Sequence, residues 1–134
     1  MKMITLTLVF LSLTLSLKAP SDTRLVIVRA ESVRPYEAII RAVTTIESSN
    51  GANLLNKGEM AVGWFGIRPI RLQDYNERTG KSITLDQCYS YEVGEMNFLY
   101  YASQIDYRDI KAICISWNGQ SKRNLYYKKI LKVL

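Results

Sequence analysis

Residues 35–51 read PYEAIIRAVTTIESSNG. Within them Ile39, Ala42, Val43 and Ile46 keep the 3, 4, 7 spacing of one helical face, which predicts an amphipathic helix turned toward a core. Pro35 suits its first turn, Ser32 is a candidate cap, and the run Ser48-Ser49-Asn50-Gly51 stops it. Glu47 stands four residues after Val43 and next to Ile46, so its carboxyl projects at the apolar edge of the last turn. The negative end of the helix dipole and the adjacent apolar surface both disfavour the ionised form. A raised pKa is therefore expected at Glu47, as a general acid at neutral pH requires. A solvated glutamate at a helix end satisfies the same spacing.

Working outward, residues 51–66 contain four glycines and no helical period, and the stretch Met60 to Ile67 suits a loop or small hairpin beside that helix end. Pro69 opens a second helix that Gly80 can close. Thr84 and Gln87 have capping-box spacing ahead of a short turn, and Val93, Met96, Leu99 and Tyr100 mark the core face of a longer helix. Ile110, Ile113, Cys114 and Trp117 give the cleanest period in the chain, broken at Asn118-Gly119. A last helix carries Tyr127, Ile130, Leu131 and Leu134. Short helices around one hairpin region predict a mainly α-helical α+β domain over 35–134.

The 134 residues, 48% hydrophobic and 22% charged, suffice for one domain with a core and not for two. The absence of histidine excludes a Ser-His-Asp triad, a Cys-His pair, a His-ligated zinc site and a histidine proton shuttle. Acid-base chemistry falls to carboxylates, lysines or tyrosines, and no metal or other cofactor is expected. Ahead of the domain, Lys2, the uncharged run Met3 to Leu17 and the small residue at Ala19 have the layout of an export signal. Residues 1–19 are thus read as a signal peptide and 20–34 as a leader, and the membrane is met only through the signal before cleavage; an uncleaved anchor is the alternative. Removal of Lys2 and Lys18 would leave 16 basic residues against 12 acidic, lowering the net charge from +6 to +4. The basic residues are spread out, so no nucleic-acid partner is expected. In an oxidising compartment Cys88 and Cys114 have one possible pairing, and a disulfide and two buried free thiols both fit the sequence. A catalytic cysteine is disfavoured without a histidine to take its proton.

Three blocks carry a resemblance: Glu47-Ser48-Ser49 at a helix end, then Ala61-Val62-Gly63-Trp64-Phe65-Gly66-Ile67-Arg68-Pro69, then Ser116-Trp117-Asn118-Gly119 closing a later helix. In this order and at these separations the chain, from about Pro35 to Lys129, resembles the soluble lytic transglycosylases with their lysozyme-like fold. The resemblance implies cleavage of the β-1,4 bond between N-acetylmuramic acid and N-acetylglucosamine in peptidoglycan, at the cell wall of the periplasm or outside the cell. Glu47 maps onto the single catalytic acid/base, which protonates the leaving oxygen and then deprotonates the muramic acid 6-hydroxyl, so that a 1,6-anhydro end forms without water. An intramolecular nucleophile already lies near the reacting carbon, so neither a second carboxylate nor a metal is needed.

Ser48 maps onto the serine that follows the catalytic Glu, helping to fix the helix end or the substrate; Ser48 or Ser49 is otherwise only a C-cap. Gly63, Trp64 and Phe65 map onto the stretch lining the sugar cleft, with core packing the other reading of Phe65. Trp117 and Asn118 map onto the aromatic-Asn pair near the Glu, the Trp117 ring packed and its N–H directed to the cleft. Asp74, Tyr75 and Asn76 either border the cleft or form the polar face of a helix. Of Tyr126 and Tyr127, which follow the Asn-Gly element, one is expected in the core. The chain departs from the family pattern at Gly66, where Gln is usual, at Trp117, where Tyr is commoner, and at Gln120, where a second glycine is often found. The implied partner is the peptidoglycan glycan strand, with wall opening for an envelope-spanning assembly among the roles. A water-using muramidase, with Glu59 or Asp74 as partner carboxylate, and a non-catalytic peptidoglycan-binding or assembly protein are the alternatives.

Overall fold

The computed structural model describes residues 34–119 and 124–134. The signal segment, the leader up to residue 33, Ser32 as a cap and Gln120 lie outside the described residues. Helix α1 (Glu37–Ser48) buries Ile39, Ala42 and Val43 as its spacing predicts and Ile40 as well, leaves Ile46 half-buried against the core, and begins just after the turn that holds Pro35. It ends because Ser49 and Asn50 both turn left-handed, at φ 51° and 54°. Their N–H groups donate to Thr45 and Thr44 carbonyls at 3.1 Å each, satisfying acceptors that the helix leaves open. Asn50 Oδ1 also accepts from the Thr44 and Thr45 hydroxyls, at 3.2 Å each.

The chain then forms a two-stranded antiparallel sheet, β1 (Leu55–Asn56) on β2 (Ala61–Val62), with Leu55 opposite Val62 and Asn56 opposite Ala61. Val62 makes a further antiparallel bridge to Ile67, which folds the intervening residues into a tight loop. Helix α2 (Pro69–Thr79) starts on its proline and stops at Gly80, φ 69°, as the sequence predicts. The Asn76 side chain clasps Ile83 through both its groups, and Thr84 and Gln87 exchange hydrogen bonds ahead of a short 3-10 helix (Asp86–Tyr89).

Helix α3 (Tyr91–Ala102), capped by Ser90, corrects one expectation. Its most buried face is Gly94, Asn97, Phe98, Tyr101 and Ala102, while Val93, Met96, Leu99 and Tyr100 are half-buried on the flanks. Gly94 sets this rotation, because a Cβ there would stand 2.7 Å from the Phe65 ring. The glycine lets Phe65 approach the helix and stack on Phe98 at 5.5 Å, and burying each ring contributes roughly 1.5–3 kcal/mol. Helix α4 (Ile110–Asn118) is capped by Asp109 and buries Ile113, Cys114 and Trp117. Helix α5 (Leu125–Leu131) packs on α1 and α4 through Ile130, while Leu131 and Leu134 stay about half exposed. The architecture is mainly α-helical α+β, with one small sheet beside the end of α1.

Candidate functional site

The end of α1, the loop after β2, α2 and the end of α4 converge on a cleft of about 430 Å³. Glu47 and Gly66 lie together on one part of its lining, Arg68 and Arg71 follow, and Trp117, Asn118 and Gly119 supply the α4 side. The outer face of α2 adds Ile70, Gln73, Asp74 and Glu77.

Glu47 is half-buried, and its carboxyl takes the place that a side chain at position 66 would fill. A Cβ on Gly66 would stand 3.0 Å from Glu47 Cδ and closer still to Oε2, and Gly66 is itself left-handed at φ 63°. Burial raises the Glu47 pKa above the ordinary carboxylate value. The Tyr126 hydroxyl and then the Arg68 charge oppose that rise, Glu59 adds to it, and Lys129 subtracts. Tyr126 Oη is buried beside the carboxyl without a hydrogen bond of full geometry to any described residue, so its influence rests on proximity. Burial, then the Glu47 charge, pushes the Tyr126 hydroxyl pKa up as well.

Of the other carboxylates near the cleft, Glu77 takes only the Gln73 side-chain amide, at 2.9 Å, and two are held by arginine. Glu59 pairs with Arg68 at 2.8 Å. Asp74 receives Tyr101 Oη at 2.7 Å and Arg78 Nε at 2.8 and 2.9 Å, which hold its pKa below the usual value. The Tyr101 hydroxyl is correspondingly pushed up to about 12, by burial first and by its bond to Asp74 second. Among the described residues no group of three or more acidic or cysteine side chains could hold a metal ion.

Of the expected site residues, the fold brings Glu47, Trp117 and Asn118 together at the cleft and places the others elsewhere. Ser48 is buried: its Oγ lies 3.0 Å from both the Thr44 and Trp64 carbonyls and accepts the Gly51 N–H at 3.0 Å, tying α1 to the loop. Gly63, at φ 78°, lies so close to the Cys88 carbonyl that a Cβ would overlap it; the close approach is to backbone, not to a ligand. Trp64 packs its ring over Gly51 and edge-on to Tyr91 at 5.4 Å, away from the cleft lining. Phe65 is fully buried core. Trp117 is packed as expected, but its N–H donates to the Phe65 carbonyl at 3.3 Å instead of facing the cleft. Tyr75 is core, Asn76 is the clasp on Ile83, and Asp74 borders the cleft. Of the two tyrosines, Tyr126 is the one that turns to Glu47.

Arg71 is the residue that sequence reading missed. Its Nη2 donates to the Ser116 and Trp117 carbonyls at 2.8 Å each, and its guanidinium lies 4.5 Å from the Tyr101 ring centre and 5.2 Å from that of Trp117. A cation is thereby fixed at the carboxyl end of α4, where the helix dipole favours it. Its partners lie 45 and 46 residues along the chain, so nothing local marks it. Chemically the cleft offers one carboxyl biased toward its protonated form and an aromatic-Asn wall facing it. In comparisons with known proteins, no family model, no curated protein and no solved structure matches this chain.

Proposed function

We propose that this domain, exported and in a lysozyme-like arrangement, is a lytic transglycosylase that cleaves the β-1,4 bond between N-acetylmuramic acid and N-acetylglucosamine in peptidoglycan. The observation that carries this reading is the placement of Glu47: a partly desolvated carboxyl with a raised pKa, at a cleft that also presents Trp117 and Asn118. Protonated Glu47 gives its proton to the glycosidic oxygen as the C1–O bond breaks. The carboxylate then takes the proton of the muramic acid 6-hydroxyl, O6 bonds to C1, and Glu47 is left protonated for the next turn, with no water consumed. One group whose pKa burial raises serves both steps. A water-using route needs a second free carboxylate, and the two candidates the sequence offered for it are held, Glu59 by Arg68 and Asp74 by Arg78 and Tyr101, which favours the route without one.

Mass spectrometry of the muropeptides released from purified peptidoglycan tests the proposal. Anhydro-muropeptides are the expected product, and Glu47→Gln lowers their release by about 100-fold or more, the range that a lost general acid accounts for. Reducing ends would instead mean hydrolysis. Glycan binding without release would make the domain a binding module.

A further inference from the structure

The last acidic residue in the sequence is Asp109, and residues 110–134 carry six lysines and arginines. In the fold this basic tract ends in α5 and the turn after it. The N–H groups of Lys132, Val133 and Leu134 bond to the carbonyls of Lys129, Ile130 and Ile130 at 3.1, 3.0 and 3.1 Å, which carries the helical register on to Leu134. Ile130 faces the core, so Leu131 and Leu134, four and seven residues after the half-buried Tyr127, form an apolar flank beside Lys128 and Lys132. Lys129 and Val133 pair on the opposite flank in the same way.

Leu131, Val133 and Leu134 are 50, 44 and 52% exposed, so three of the nine exposed large hydrophobics among the described residues fall within four positions. None of the ion pairs of the described residues uses Lys128, Lys129 or Lys132. A neutral glycan leaves both the leucines and the lysines without a complement. A second copy would cover the apolar flank only by setting Lys128 and Lys132 against the same two lysines. An anionic bilayer complements both, its acyl boundary the apolar groups and its phosphates the ammonium groups.

We propose that residues 128–134 dock this domain on an anionic lipid surface, with Leu131 and Leu134 entering among the headgroups and the neighbouring Lys128 and Lys132 lying on the phosphates. This surface stands independently of the proposed chemistry at Glu47. The test uses the full chain carrying Leu134→Cys with a polarity-sensitive fluorophore on that thiol; Cys88 and Cys114 are buried and stay unlabelled in the folded protein. A probe at this position reports the 128–134 segment, whatever residues 1–33 do with the same vesicles. Its emission shifts to the blue with vesicles of phosphatidylcholine containing phosphatidylglycerol, and not with phosphatidylcholine alone. Combined Lys128→Glu and Lys132→Glu weakens that response by about tenfold or more, as does added salt. Circular dichroism verifies that this variant, confined to exposed positions, retains its fold. An unshifted probe, an equal shift on both vesicles, or a shift that follows protein concentration without lipid would each overturn the proposal, the last in favour of a second copy.

Discussion

At position 66 the absence of a side chain and the state of Glu47 are one fact. The carboxyl of Glu47 lies where a Cβ would be, pressed against backbone and away from water, and this loss of hydration is the leading cause of its raised pKa. A glutamine could not be accommodated here without moving Glu47. Gly66→Ala should therefore destabilise the fold by about 1–3 kcal/mol, through the left-handed φ and the collision together. It should also bring the Glu47 pKa back toward the ordinary carboxylate value as the group swings toward solvent, which a carboxyl-carbon NMR titration reads without any activity assay. The stability linkage has a definite sign. The neutral acid is the form the fold prefers, so its stability is complete below the unfolded-state pKa of Glu47 and falls as pH rises through the raised folded value. Glu47→Gln removes that loss, and its urea midpoint should exceed the parent's at neutral pH while the two converge in acid.

Among the elements, α2 decides the shape of the cleft by holding α4. Arg71 spans the two helices, with two charged hydrogen bonds to the last carbonyls of α4 and aromatic faces of Tyr101 and Trp117 beside it. Arg71→Ala should cost about 2–3 kcal/mol in urea unfolding and weaken turnover by releasing Asn118, whereas Arg71→Lys recovers only part of both because an ammonium lacks the planar fork. The helices themselves were legible in the sequence: the period of α1, Pro69 and Gly80 around α2, and the Thr84-Gln87 pair all act locally. The rotation of α3 was not, because Gly94 and Asn97 do not register as core residues, and only the approach of Phe65 makes them so. Likewise Glu47, Trp117 and Asn118 could be placed from their motifs, while Trp64 and Phe65 were claimed by packing against Tyr91 and Phe98. Aromatic residues in a glycine-rich loop read the same whether they face a sugar or a core. What separates them is the path of a helix some thirty residues on.

In the molecule as a whole, one hydrophobic cluster joins α1, the loop after β2, α3 and α4, and it contains both cysteines. Cys88 on the 3-10 helix and Cys114 on α4 are free thiols, and burial pushes each up to about 11. At pH 8 a thiol with that pKa is ionised in only about one molecule in a thousand, and the thiolate is the species that reacts. Reaction with an aromatic disulfide reagent therefore requires the shared core to open. If that core opens as a unit, both thiols should react slowly, at one common rate that rises with urea along with global unfolding, and two equivalents should react at once in full denaturant. Fast labelling of Cys88 alone would instead reveal a local opening of the 3-10 helix and its contact with α3. Absence of reactive thiols in denaturant without reductant would show that the two had paired, which the native packing would then have to rearrange to permit.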